Sequence, residues 1–168
     1  CVRAGVGDAC EKTDPCAVDA SCNAEEGELI AFLEHNRFEK SEIRSLHYAR
    51  SLSDPIPEAA LPPGYLIRPA RGEQEVSALV DLHRAAFESD WMTDEYRLGM
   101  MRTGGYDPEL DLVIETPEGK LAAFCIGVID VEENRKKGTM DGFPDPIGVH
   151  PIEQRRGLGK AVLMEALK

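Results

Sequence analysis

The stretch DPIGVHPIEQRRGLGKAVLMEALK (residues 145–168) decides how this sequence is read. A short apolar strand from Ile147 to Val149 leads to Pro151, then to a basic turn bearing Gly157 and Gly159, then to an apolar helix. This order places the unbonded amides of a helix's first turn beside two residues that lack side chains. Glycine lets a bulky group approach the backbone, and the amides and helix dipole favour an anion there. Phosphate is the expected anion.

Spacing excludes two phosphate loops. A Walker loop needs four residues between its glycines and then Lys-Ser/Thr, whereas here Lys160 is followed by Ala161. A G-x-G-x-x-G fingerprint needs glycine where Val162 stands, and a further βαβ unit after it.

The bulk properties sharpen the problem. The chain has 168 residues and a net charge of −12, a field that repels nucleic acid and anionic membranes. An anion must therefore be held by a local feature. No run of about 20 apolar residues is present to span a bilayer. No basic segment followed by an apolar one marks a secretory signal, and a cytoplasmic location is expected. The chain opens on Cys1 and has the look of a piece of a longer protein. Cys1, Cys10, Cys16 and Cys22 crowd its start. A disulfide set or a zinc site needs consideration, but there is no C-x-x-C pair or nearby histidine, so free thiols are expected and no metal. Cys125, alone in an apolar run, reads as a small core residue.

Organisation follows from period and composition. PCAVDAS (residues 15–21) reads as one short strand. EEGELIAFLEHNRF (25–38) reads as a helix, with Leu29, Phe32 and Leu33 on one face. SEIRSLHYARSL (41–52) alternates as a strand does. DPIPEAALPPG (54–64) holds four prolines and a glycine, a composition that continues neither helix nor central strand. YLIRPA (65–70) is a strand. EQEVSALVDLHRAAF (73–87) is an amphipathic helix with Val76, Leu79, Val80, His83 and Phe87 along one stripe. His83 reads as a half-buried core residue rather than a catalytic one. MTDEYRLGMMRTG (92–104) is a helix with Thr93 as N-cap. The two apolar runs around Pro117, Glu118 and Gly119 form a hairpin whose second strand is covered on both faces. RKKG (135–138) reads as a solvated basic turn. TMDGFPDPIGV (139–149) is a strand with pairing distorted at Pro144 and Pro146.

Gln154-Arg155-Arg156-Gly157-Leu158-Gly159 matches Q/R-x-x-G-x-G/A, and IGVHP precedes it in a strand. This resembles the acetyl-coenzyme A (acetyl-CoA) loop of GNAT-type N-acetyltransferases. The resemblance extends over residues 65–168: first strand and helix, the hairpin as second and third strands, and residues 138–151 as the fourth. It implies an α/β (α+β) fold, the GNAT acyl-CoA N-acyltransferase fold, with a mixed, mostly antiparallel sheet flanked by helices, here incomplete. It also implies that residues 1–54 are the C-terminal part of a first GNAT-like unit and 55–64 a proline-rich linker. Residues 65–168 are then the N-terminal part of a second GNAT domain, as in a tandem protein.

By the same resemblance, backbone groups of Ile147, Gly148 and Val149 face the pantetheine and acetyl group. Gln154, Arg155, Arg156, Gly157, Leu158, Gly159 and Lys160 surround the pyrophosphate. Both arginines also have a plainer reading as solvated turn residues. Asp145 has two readings of equal standing: the base that takes a proton from the acceptor amine, or an edge carboxylate beside two prolines. The family's usual corner is replaced here by Arg37-Phe38. Leu33 stands where many members carry a tyrosine general acid, so the first unit lacks that group. The implied activity is transfer of an acetyl group from acetyl-CoA, as co-substrate, to a primary amine of a small molecule or peptide. A degenerate CoA-binding or regulatory unit is the alternative.

Overall fold

The computed structural model describes residues 20–42 and 48–168. Cys1, Cys10, Cys16, residues 15–19 of the strand expected over 15–21 and residues 43–47 of that over 41–52 lie outside them; residues 48–52, which are described, form no strand. The chain divides after Arg50 into two units. In the first, α1 spans Gly27–His35, with Glu28 in its first turn, a charge that complements the helix dipole. None of its residues is buried.

The second unit begins at Ser51 and takes in the proline-rich stretch. Its strands are β1 (Leu66–Pro69), β2 (Asp111–Glu115), β3 (Leu121–Val128) and β4 (Phe143–Val149). They lie side by side in that order, every neighbouring pair antiparallel. The β2–β3 turn is closed by Gly119 N–H donating to Thr116 O, with Gly119 at φ 78°. A left-handed residue at that point is what glycine supplies without a Cβ clash.

Strand alternation sends side chains to two faces, and both are covered. Leu112, Ile114, Ala123 and Cys125 pack against Leu158, Ala161 and Val162 of α5 (Leu158–Ala166). Val113, Phe124 and Ile126 pack against Leu79 and Leu82 of α2 (Val76–Phe87). Ala59 and Leu61, from the proline-rich stretch, lie against the α5 layer. The continuous apolar run of β3 is thus explained by a helix on each side. Helix α3 (Asp94–Met101) starts where expected: Thr93 Oγ1 accepts from Tyr96 N–H.

In the second unit the structure corrects a further expectation. RKKG is not a turn: Arg135–Lys137 close helix α4 (Val131–Lys137), and Gly138 caps it at φ 67°. The helix follows from end chemistry rather than from an apolar stripe. Asp130 accepts from Glu133 N–H, Glu132 and Glu133 sit in the first turn, and the three cations occupy the last. A smaller difference lies before α2, where Gly72–Glu75 form a 3-10 turn rather than the helix's first residues.

Beneath α2 the core carries a buried polar group of residues. Arg97 pairs with Asp111, whose Oδ2 also accepts from Tyr106 Oη at 2.7 Å. His83 lies beside them, only 5 % exposed, with its ring 4.8 Å from Phe87, 5.0 Å from Trp91 and 5.7 Å from Phe124. Burial, and then the Arg97 charge, hold its pKa below the ordinary histidine value. The unfolded chain therefore binds a proton near pH about 6.5 that the folded chain refuses. This contribution to stability is complete above that pH and is lost as pH falls toward the lower folded value. Urea unfolding is expected to show a lower stability at pH 5.5 than at 7.5, with the difference reduced in His83→Leu. An equal difference in that variant would remove His83 as its source.

Candidate functional site

Strand β4 is the last strand in the sheet, and its register decides which of its backbone groups are available. His150 N–H donates to Ala122 O at 2.8 Å, and Val149, Gly148 and Ile147 stand opposite Ala123, Phe124 and Cys125. In an antiparallel ladder, bonded and non-bonded pairs alternate. Gly148 with Phe124 is therefore a bonded pair. The N–H and C=O groups of Ile147 and Val149 point the other way, to the outer edge of β4.

Gly148 is required on steric grounds. A Cβ there would lie 2.4 Å from Phe124 Cε1 and 2.9 Å from Ala86 Cβ, so α2 and β3 press against the bare backbone. Gly148→Ala is expected to cost about 1–3 kcal/mol, the usual range for overpacking, measured by chemical denaturation. Wild-type stability in that variant would mean that the Phe124 ring yields freely.

Past Val149 the chain makes a short 3-10 turn (Pro151–Glu153) and then the loop 154–157. Two of its residues are left-handed: Arg155 at φ 64° and Gly157 at φ 82°. Gly157 is the N-cap of α5 and has no side chain to offer. The first intrahelical bond is Ala161 N–H to Gly157 O, at 3.0 Å. The amides of Leu158, Gly159 and Lys160 precede it, and no side-chain cap or first-turn acid serves that helix end. Gly159 sits close to β4: a Cβ there would meet Val149 Cγ2 at 3.3 Å.

These two features meet in one open groove of about 490 Å³. It is lined by Ala86, by Ile147 to Val149, and by Gln154, Arg155 and Gly157 to Lys160. Nine of the ten residues expected to hold a coenzyme are thus brought together around it. The tenth, Arg156, is turned elsewhere: its Nη1 donates to Tyr65 Oη at 2.7 Å and lies 3.3 Å from Glu153 Oε2. Arg155 and Lys160 are the cationic side chains that line the groove. Gln154 Nε2 reaches Val149 O at 3.5 Å, the outer limit of a hydrogen bond.

Asp145 is exposed and lies outside the groove lining. It rides on a distortion of β4. Ile147 faces Cys125 and Pro144 faces Gly127, so Asp145 and Pro146 together oppose Ile126. Two residues against one is a bulge, a device that re-aims a side chain at a strand edge. The field of Asp145 reaches Cys125, whose thiol is pushed up to about 11 by burial first, then by Asp111 and Asp145. Cys125 is accordingly an inert core thiol, and Cys22 an exposed free one. Among the described residues no cluster of His, Cys, Asp and Glu is arranged to hold a metal ion, and no helix is long and apolar enough to cross a membrane.

No family model matches the sequence. A curated relative, the mycothiol acetyltransferase of Kineococcus radiotolerans, is 31% identical over 134 residues, covering 75% of this chain and 40% of the relative. The chain thus spans about 40% of that relative's length. Among solved structures, a GCN5-related N-acetyltransferase from Sphaerobacter thermophilus superposes with a TM-score of 0.50 at 20% identity, covering 64% of this chain and 32% of that one. The GCN5-related glucosamine N-acetyltransferase region of a fungal multi-domain GH3 β-N-acetylglucosaminidase gives 0.52 at 21% identity, covering 66% and 13%. The chain therefore carries part of the GNAT fold. Fold and sequence likeness together support the GNAT superfamily.

Proposed function

We propose that the protein to which this chain belongs is an N-acetyltransferase that moves an acetyl group from acetyl-CoA to a primary amine. The observation that carries the reading is the meeting, in one groove, of an outward-facing strand backbone and an uncapped helix N-terminus. A coenzyme A thioester needs both. Its pantetheine arm is an extended chain of amides that pairs with a strand edge, here Ile147 and Val149. Its pyrophosphate is a compact anion that suits the amides of Leu158, Gly159 and Lys160, with Arg155 and Lys160 beside them. In a chain of net charge −12 this local arrangement supplies the attraction that the overall field denies.

The reaction forms one bond and breaks one. The neutral amine nitrogen attacks the thioester carbonyl carbon, the carbonyl oxygen gains charge, and the C–S bond then breaks with its electron pair on sulfur, releasing coenzyme A as the thiolate, which takes a proton from solvent. An outward N–H on β4 is suited to stabilise that oxygen, because such a donor is fixed before charge develops. The amine must lose a proton, and Asp145 is assigned that role as general base. The same proposal reads residues 1–54 as late elements of a preceding GNAT-like unit and 55–64 as the linker between them.

Incubating the full-length protein with labelled acetyl-CoA and a panel of amines tests this reading. Transfer of label to an amine is expected. Coenzyme A binding without transfer to any amine would favour a regulatory unit instead.

A further inference from the structure

We propose that Tyr65, acting with Glu153, is a positioning residue for the loop 154–157: it holds Arg156 against the start of β1 and so keeps the loop open toward the groove. The functional consequence rests on the coenzyme A reading above; the structural part does not.

Tyr65 immediately precedes β1, and its side chain packs on the apolar layer under α5. The ring is thus anchored in the sheet while the hydroxyl projects toward the loop. That hydroxyl donates to Glu153 Oε2 at 2.7 Å and accepts from Arg156 Nη1 at 2.7 Å. Arg156 closes the triangle at 3.3 Å from Glu153 Oε2. Hydrogen bonding to Glu153 raises the Tyr65 pKa, which keeps the phenol protonated as the donor this arrangement requires.

The triangle clamps the loop on both sides of its strained residue. Arg155, at φ 64°, lies between Glu153 and Arg156. A non-glycine residue persists in that conformation only where its surroundings over-determine it. With Glu153 and Arg156 both fixed to Tyr65, the intervening backbone has little freedom to relax. Arg155 is left in the groove lining, Arg156 is turned out of it, and Gly157 delivers the chain into α5. The pairing also offsets the Glu153 carboxylate, a charge that otherwise opposes an incoming pyrophosphate. Arg156 is then a strut of the loop and not a phosphate ligand.

The test uses Tyr65→Phe in the full-length protein, which keeps the ring and its packing and removes only the hydroxyl. Binding of coenzyme A is expected to weaken by about tenfold, as for losing a hydrogen bond to a charged partner. The rate at saturating acetyl-CoA is expected to stay within about twofold, since a positioning residue affects binding and not the bond-making step. Amide hydrogen exchange across 154–160 in the ligand-free protein is expected to quicken. Arg156→Gln is expected to match it, and the double variant to bind no more weakly than either single one. Wild-type affinity in Tyr65→Phe would overturn the proposal, as would weakening by Arg156→Gln alone, which would make Arg156 a direct contact. If wild-type protein binds no coenzyme A, the site reading fails; unchanged exchange in Tyr65→Phe then rejects the clamp as well, and quickened exchange upholds it.

Discussion

Gly159→Trp is expected to abolish coenzyme A binding by the full-length protein while leaving its helical signal and unfolding midpoint nearly unchanged. Gly159 lines the groove and lies in the first turn of α5, where its backbone is helical and open to any L-residue. A Cβ meets Val149 Cγ2 at 3.3 Å, a contact that a shift of a few tenths of an ångström relieves. Because Gly159 lines the groove, an indole there competes for the space in which the proposed pyrophosphate sits. Gly157 is a poorer probe, because its φ of 82° makes any side chain there a conformational change as well. Calorimetric titration with coenzyme A, beside circular dichroism, separates the two effects. Normal binding in Gly159→Trp would reduce the loop to a helix start.

Asp145→Asn is expected to do the opposite: binding is kept and turnover falls by about 10²–10⁴-fold, the range typical for losing a general base. The argument is positional. Asp145 is exposed, two residues before Ile147, on a bulge that frees its side chain from the regular alternation of β4. Asparagine has nearly the same shape and cannot take the proton. A fall in kcat with an unchanged KM for acetyl-CoA would support the assignment. Full turnover in the variant would make Asp145 an edge carboxylate and place the base elsewhere.

What was legible in the sequence was what local chemistry specifies. The hairpin around Pro117 to Gly119, the Thr93 cap and the stripe of α2 each follow from residues within a turn or two of one another. So does the groove itself, because its two walls are consecutive in the chain. Helix α4 escaped notice because its signal is not periodicity. VEENRKK has no apolar stripe, but the Asp130 cap, the acidic first turn, the basic last turn and Gly138 spell a helix by its ends.

Non-local pairing was not legible. Arg156 reads in the sequence as a phosphate-facing cation or a solvated turn residue; Glu153 lies three residues before it, but Tyr65, which joins the two, is 91 residues earlier. Asp111 is fully buried against Arg97 and Tyr106, which lie 14 and five residues away. Burial of a charge is decided by tertiary packing, and no pattern of neighbours announces it. His83 was assigned to the core by its place on the α2 stripe, and its neighbours there are Phe87, Trp91 and Phe124.

The most direct test is a crystal structure of the full-length protein with acetyl-CoA bound. The account predicts the pyrophosphate within hydrogen-bonding distance of the Leu158, Gly159 and Lys160 amides and the pantetheine arm along the outer edge of Ile147 and Val149. It also predicts Arg156 still bonded to Tyr65 and Glu153. A coenzyme seated away from this groove, or a pyrophosphate gripped by Arg156 with the helix amides facing solvent, would contradict it.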